Sequence, residues 1–382
     1  MTSGRGGRAV PILPLAAGLL LLALAAGCGD DEASVTFPPQ PAPPDQPWYF
    51  DVFGTAADNV YVAGNSGVMQ HWDGAAWSPV DLGTDNAVTT IWGPGDGTLY
   101  LCGHKGLVMR NQGSGWTRME SGSTADFYGL GSHQGQIHVV GAAGAVRRLA
   151  GGAWQAVPTT AVIRNPQAGD APTDTLDLRR DVAALLTVNH YFLGGAYRLP
   201  AWRATDLGRL NTDGMLLGAD NPPAPLPAFE WQLRPLRGDE LAVSEWIYCT
   251  TSDDVTLGNN FLGTSEGWLF QLVVDEENPG RLVWTKFDVR ITDDRNTGIR
   301  DMWLAAGGDL YMVTDGGRIV YRSAAGEVRT LFDQLSNLVG IWGASPAEFY
   351  VTGYMDDTFL RCSYDPVADV FTSTSVVLPF PE

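Results

Sequence analysis

The apolar positions of the chain fall in short alternating runs cut by glycine-bearing turns. Between Val88 and Met119 the runs are VTTIWG, TLYLCG, LVMRN and WTRM, joined by PGDG, HKG and QGSG. Each run is too short for a helix and rich in Val, Ile, Leu, Tyr or Trp, so it predicts a strand, and the turns predict antiparallel hairpins. FDVFGTAADNVYVAGNSGVMQHWDGAAWSPV before it and DFYGLGSHQGQIHVVGAAGAVRRLAGGAWQAV after it repeat the same order. Four short strands recurring at about 40 residues predict an all-β fold, a β-propeller of four-stranded blades.

The second strand of each copy gives the count. Tyr61, Tyr100, His138, Tyr191, Asn260, Tyr311 and Tyr350 stand three places before Gly64, Gly103, Gly141, Gly194, Gly263, Thr314 and Gly353. An apolar residue follows each of the first set, and such alternation suits a strand packed on both faces against neighbouring blades. Successive copies lie 39, 38, 53, 69, 51 and 39 residues apart. The prediction is seven blades over residues 48–382, with six or eight left open by the stretched middle. Trp77, Trp116 and Trp154, each 13 residues after its glycine, are expected to open the outer strand and cover the blade edge. At about 155–245, NPQAGDAPTDTLDLRRD and NPPAPLPAFEW break the period and read as loop insertions that arch over one face.

The first residues follow another pattern. Arg5 and Arg8 precede the apolar run LPLAAGLLLLALAAG, which stops at Cys28. A basic start, a short apolar run and small residues before the cut predict a secretory signal peptide over 1–27. Residues 28–47, GDDEASVTFPPQPAPPDQ and their neighbours, are acidic and Pro-rich, a composition that stays extended as a tether.

Leu24-Ala25-Ala26-Gly27-Cys28 resembles a bacterial lipobox, with Ala25 in place of the usual Leu. The resemblance implies that Cys28 is acylated and becomes the first mature residue, anchoring the chain to a lipid bilayer. A plain cleaved signal with a chance cysteine is the alternative. Gly29 rather than Asp follows the cysteine, which in enterobacterial lipoproteins leans toward the outer membrane over the inner. The WG, AGxxG and HWDGxxW phrasing of residues 48–158 and 298–355 resembles the tandem propeller repeats of exported lipoproteins in myxobacteria and their relatives. More distantly it resembles photosystem II assembly-factor and sialidase-like propellers. Asp73-Gly74-Ala75-Ala76-Trp77 is shorter than a sialidase Asp box, so that link is weak. These repeats imply a fold and no activity.

The formal charge is −19 and the leader holds two arginines and no acid, so the exported part is more acidic still. Such a chain repels polyanions, and nucleic acid is not expected as a partner. After Cys28 the cysteines are Cys102, Cys249 and Cys362, in copies that are not neighbours, and buried inert thiols are expected rather than a bridge. Gly263-Thr264-Ser265-Glu266-Gly267 matches a nucleophile elbow, but it falls where other copies carry hairpin turns, not between strand and helix. The five histidines show no short metal-ligand spacing. Asp253-Asp254, Asp293-Asp294 and Asp356-Asp357 read as solvated loop charge; calcium is the alternative, and otherwise no cofactor is expected.

In a propeller the turns between strands two and three share one face with the links between blades. On that face fall Asn65, His104, Lys105, Ser265, Glu266, Asp315, Asp356 and Asp357, a net acidic ring of candidate ligand-binding residues. No catalytic constellation recurs. The expected function is a non-catalytic binding or assembly scaffold, exported and lipid-anchored, with a protein or polysaccharide partner. The alternative is a glycan-active enzyme or glycan-binding protein on a sialidase-like propeller, which needs converging carboxylates or arginines at the channel mouth.

Overall fold

The computed structural model describes residues 47–379 except 134–135, 143–144, 158–159, 165–171, 178–181, 188–190, 199–211, 220–230, 234–246, 253–258, 275, 277–281, 290–297, 335–336 and 355–357. The leader, most of the tether and Cys28 lie outside the described residues, as do Asp253, Asp254, Asp293, Asp294, Asp356 and Asp357. Among the described residues no helix is long and apolar enough to cross a membrane.

Six four-stranded antiparallel blades are present, at residues 49–79, 88–118, 127–156, 247–288, 299–333 and 337–375, numbered one to six below. Each runs in chain order from its inner to its outer strand. The expectation of seven four-stranded blades is therefore corrected to six. Between blades three and four stands a sheet of six strands, ordered 172–177, 160–164, 231–233, 212–219, 191–198, 182–187. Its last four members form a meander, and the hairpin of Thr160–Arg164 and Pro172–Asp177 adds to the outer edge by pairing Thr160–Arg164 parallel to Trp231–Leu233. The run NPQAGDAPTDTLDLRRD, expected to be loop, thus contains a strand: alternating Thr173 and Thr175 suit a pleated ladder, and Pro172 occupies the first strand position, where its missing N–H costs least.

The inner strands contact one another in a closed ring. Its order is Tyr49–Ala56, Val88–Trp92, Phe127–His133, Val182–Thr187, Ile247–Ser252, Ile299–Leu304 and Asn337–Ser345, and back to the first. The repeated residues explain the joints. The indole of Trp342 fills the space where Gly54 of the next blade lacks a side chain, and Trp303 does the same against Gly343. The Trp-Gly pair is thus an inter-blade lock read in two halves. Gly64, Gly103 and Gly141 close the second strands because a Cβ there would strike the carbonyl oxygen of Trp48, Ala87 or Asp126, just ahead of the inner strand. Trp77, Trp116 and Trp154 lie at the start of the outer strands, as expected.

The aligned column slips in the middle. Gly64, Gly103, Gly141, Thr314 and Gly353 face the residue just before the register shift of their inner strand, but Gly195 and Thr264 do so where the sequence aligns Gly194 and Gly263. Phe192 and Phe261 accordingly take the places assigned to Tyr191 and Asn260. In Thr264 and Thr314 the side-chain hydroxyl accepts the backbone N–H four residues on, from Trp268 and Arg318, and so closes the turn.

The seam between blades six and one is closed without exchange of a strand. After the last strand, Val376 N donates to Phe359 O (2.8 Å), and Gln70 Nε2 of blade one donates to Pro379 O (2.6 Å). Between these bonds Leu378 is buried in a cluster with Tyr49, Val52, Val60, Tyr350 and Phe359.

Candidate functional site

One irregularity recurs in every inner strand. The register shifts by a residue after the first pair, or after the second in blade six, so Phe50, Thr89, Tyr128, Tyr248, Arg300 and Val339 are bulged out of their ladders in the six blades. A bulge bends the strand and re-aims the side chains around it. In four of the blades the residue after the bulge reaches the next sheet around the ring. Asp51 Oδ2 accepts Ile91 N (2.7 Å), Thr90 Oγ1 donates to Tyr128 O (2.7 Å), Cys249 Sγ donates to Ile299 O (3.4 Å), and Asp301 Oδ2 accepts Ile341 N (2.9 Å).

Asp51 and Asp301 are the ionisable members of this stitching, each also accepting the N–H of its own following residue at 2.8 Å. Both are half-buried. The surrounding strands nevertheless leave them poorly hydrated, and this desolvation raises both carboxyls. Asp301 rises to about 7, and Asp51 rises well above the usual range, with repulsion from Asp301 adding to burial. Burial also lifts the thiols: Cys102 and Cys362 to about 12 and Cys249 well above its usual value. All three are buried free thiols, inert at neutral pH.

The bulged residues themselves build the feature best suited to hold a ligand. Arg300 Nε is paired with Asp315, and the guanidinium lies over the Tyr248 ring with 4.3 Å to the centroid. Arg300 is 23% exposed and Asp315 8%. Desolvation raises the Asp315 carboxyl although the guanidinium opposes it. Tyr248 is raised chiefly by burial, with Arg300 opposing and Asp315 and Glu266 adding to the rise. Tyr354, in the turn region of blade six, is within reach of the Arg300 charge, and its ring meets Trp48 edge-on at 5.1 Å and Phe50 at 6.4 Å. A part-exposed guanidinium stacked on Tyr248, with Tyr354 within reach of its charge and Trp48 and Phe50 packed against Tyr354, thus lies on the face of the strand-two-to-three turns.

Of the candidates read from sequence, Ser265, Glu266 and Asp315 fall on this side of the ring, and Glu266 and Asp315 act electrostatically on Tyr248. Asn65 is buried and its Oδ1 accepts Trp48 N (2.8 Å), so it fixes the start of blade one. His104 and Lys105 lie in blade two: burial lowers the imidazole, and Lys105 N donates to Asp126 Oδ1 (2.8 Å). Gly263–Gly267 is a hairpin turn between two strands, not an elbow. Among the described residues no three or more His, Cys, Asp or Glu gather as a metal site. Sequence reading missed Arg300, Tyr248, Tyr354 and Trp48; aligning the residue before Asp51, Cys249 and Asp301 would have put the first two in one column.

Solved structures resemble this one at the level of fold. YCF48 from Cyanidioschyzon merolae matches with a TM-score of 0.54 at 14% identity, covering 84% of this chain and 97% of that one. A structure of YCF48 bound to D1 peptide matches with a TM-score of 0.53 at 12% identity, covering 84% and 94%. The Cps50 (Swd1) β-propeller domain of Myceliophteria thermophila matches with a TM-score of 0.55 at 13% identity, covering 86% and 96%. The chain is a β-propeller. No family model matches it, and no curated protein does.

Proposed function

We propose that the protein is an exported, lipid-anchored propeller that binds a polypeptide on the face of its strand-two-to-three turns, as a non-catalytic scaffold. The observation that carries the reading is the part-exposed Arg300 guanidinium stacked on Tyr248 and within reach of Tyr354, whose ring in turn meets Trp48. Tyr, Trp and Arg are the residues that supply most binding energy where proteins meet, because rigid rings and a planar fork lose little freedom on contact. The similar fold of YCF48 bound to D1 peptide is consistent with it. Anchoring rests on the lipobox-like stretch ending at Cys28, and the outer membrane is favoured over the inner by Gly29. Several acyl chains give stable attachment where one does not.

A glycan ligand is the second reading, favoured by half-buried Tyr248 and Tyr354 beside a carboxylate. Peptide and glycan arrays probed with the purified chain separate the two. Peptide binding that falls by about 10-fold or more in both Tyr248→Ala and Arg300→Ala is expected, the size of an interfacial anchor. Glycan binding with the same sensitivity moves the site to the second reading. Binding indifferent to both variants removes the site. Cys28→Ser should abolish labelling by radioactive palmitate and release the protein from membranes; an unchanged membrane fraction would refute the anchor.

A further inference from the structure

The link from blade two to blade three builds a second concavity on the same face. Residues 119–126 bound a cleft of about 550 Å³ whose lining includes Arg118, Glu120, Ser121, Ser123, Thr124 and Arg147. That volume is within the range of sites that hold small groups. The loop is fixed before anything binds. Ser121 Oγ donates to Gly106 O (2.8 Å), Gly106 N donates to Ala125 O (2.8 Å), and Ala125 N donates to Ser123 Oγ (3.1 Å).

Two arginines converge here on a chain whose formal charge is −19. Arg147 belongs to the third strand of blade three, and its Nη2 donates to Gly122 O (3.0 Å), which holds the head group against the loop. Its Nε is buried and has no hydrogen-bond partner. Arg118 ends the outer strand of blade two, is exposed, and takes part in none of the ion pairs among the described residues. Glu120 is the one acid in the lining. Two guanidinium groups against one carboxylate leave a single positive charge. A monoanion neutralises that charge. Guanidinium forks match a carboxylate with paired N–H bonds, and the hydroxyls of Ser123 and Thr124 on the wall supply further donors.

We propose that this cleft is a carboxylate-binding subsite for the free C-terminus or an acidic side chain of a polypeptide. The choice of a polypeptide rests on the function proposed above, whereas the choice of a carboxylate rests on the cleft alone.

Fluorescence anisotropy on the full chain tests it with three dye-labelled peptides of one neutral sequence: a C-terminal amide, the free acid, and the amide with one central Glu. A charge-assisted hydrogen bond contributes on the order of 1.5–3 kcal/mol, so the acid or the Glu peptide should bind about 10-fold or more tightly than the neutral amide. Whichever of the two gains identifies the source of the carboxylate. Arg118→Ala and Arg147→Ala should each erase the difference, and Tyr248→Ala should leave it. Arg118→Ala removes no intramolecular bond, so it stands as the test if Arg147→Ala fails to fold. A preference that survives in Arg118→Ala, or equal binding of all three peptides, overturns the proposal. Displacement by inorganic phosphate at concentrations where acetate has no effect overturns the carboxylate assignment. Acetate binding detected by calorimetry while none of the three peptides binds overturns the polypeptide half, and that result is independent of Tyr248 and Arg300.

Discussion

At the scale of single residues, the inter-blade stitching carries a pH signature. The Asp301 carboxyl sits at about 7 in the folded ring, against about 3.9 when exposed. Between those values the folded protein holds a proton that the unfolded chain has lost. Stability from this group is therefore full below about pH 4 and is lost as the pH rises toward 7. Three units at about 1.4 kcal/mol each set an upper limit near 4 kcal/mol; because Asp301 is only half-buried, a loss on the order of 2 kcal/mol is expected. Urea unfolding followed from pH 4 to 8 should show this decline, and Asp301→Asn should reduce it, leaving the part that Asp51 contributes. Asn retains one carbonyl acceptor for Met302 N or Ile341 N but not two, so the variant should also be weaker at pH 5. Parallel pH profiles for the two proteins would show that Asp301 keeps its proton equilibrium on folding. The glycines that end the second strands were legible in the sequence for a local reason: a carbonyl oxygen leaves no room for a Cβ at Gly64, Gly103 or Gly141, so the residue type recurs wherever that geometry does.

At the scale of elements, the C-terminal segment acts as a latch. Leu378 is 6% exposed among residues of blades one and six, while its neighbour Val377 is 91% exposed. Leu378→Ala should cost about 2–4 kcal/mol, as burial lost plus a cavity, and should lower the thermal midpoint. Val377→Ala should stay within about 0.5 kcal/mol of the parent. A Leu378 variant as stable as the Val377 one would mean that the seam holds without the latch. The short strands, their hairpins and the outer-strand tryptophans could be read from the chain because each depends on neighbours within one blade. The count of four-stranded blades could not. Thr160–Arg164 pairs parallel with Trp231–Leu233 across some seventy residues of sequence, and no local pattern marks that partner. The Arg300–Tyr248 contact was legible only in part: the two residues share the bulge column, but their meeting depends on the packing of blade four against blade five, which no local pattern marks.

At the scale of the whole molecule, the joints of the ring are unequal. Around the ring, successive sheets are connected through the chain, whereas blades six and one are each built from their own contiguous segment and share no strand. Their joint depends on side chains. The Phe359 ring lies 5.2 Å from Trp77, 5.6 Å from Tyr350 and 6.1 Å from Tyr49, and Trp342 lies 6.2 Å from Phe53. A joint without covalent continuity has the least entropic reason to re-form once parted, so sub-global opening should begin there. Native-state hydrogen exchange in low denaturant should find the strands Tyr49–Ala56 and Asn337–Ser345 losing protection before Val88–Trp92. Phe359→Ala, which removes a fully buried ring at a cost of about 3–5 kcal/mol, should widen that gap instead of lowering all blades equally. Exchange of every blade through one common opening, in parent and variant alike, would instead mean that the aromatic seam is as strong as the linked joints and that the propeller unfolds as a single cooperative unit.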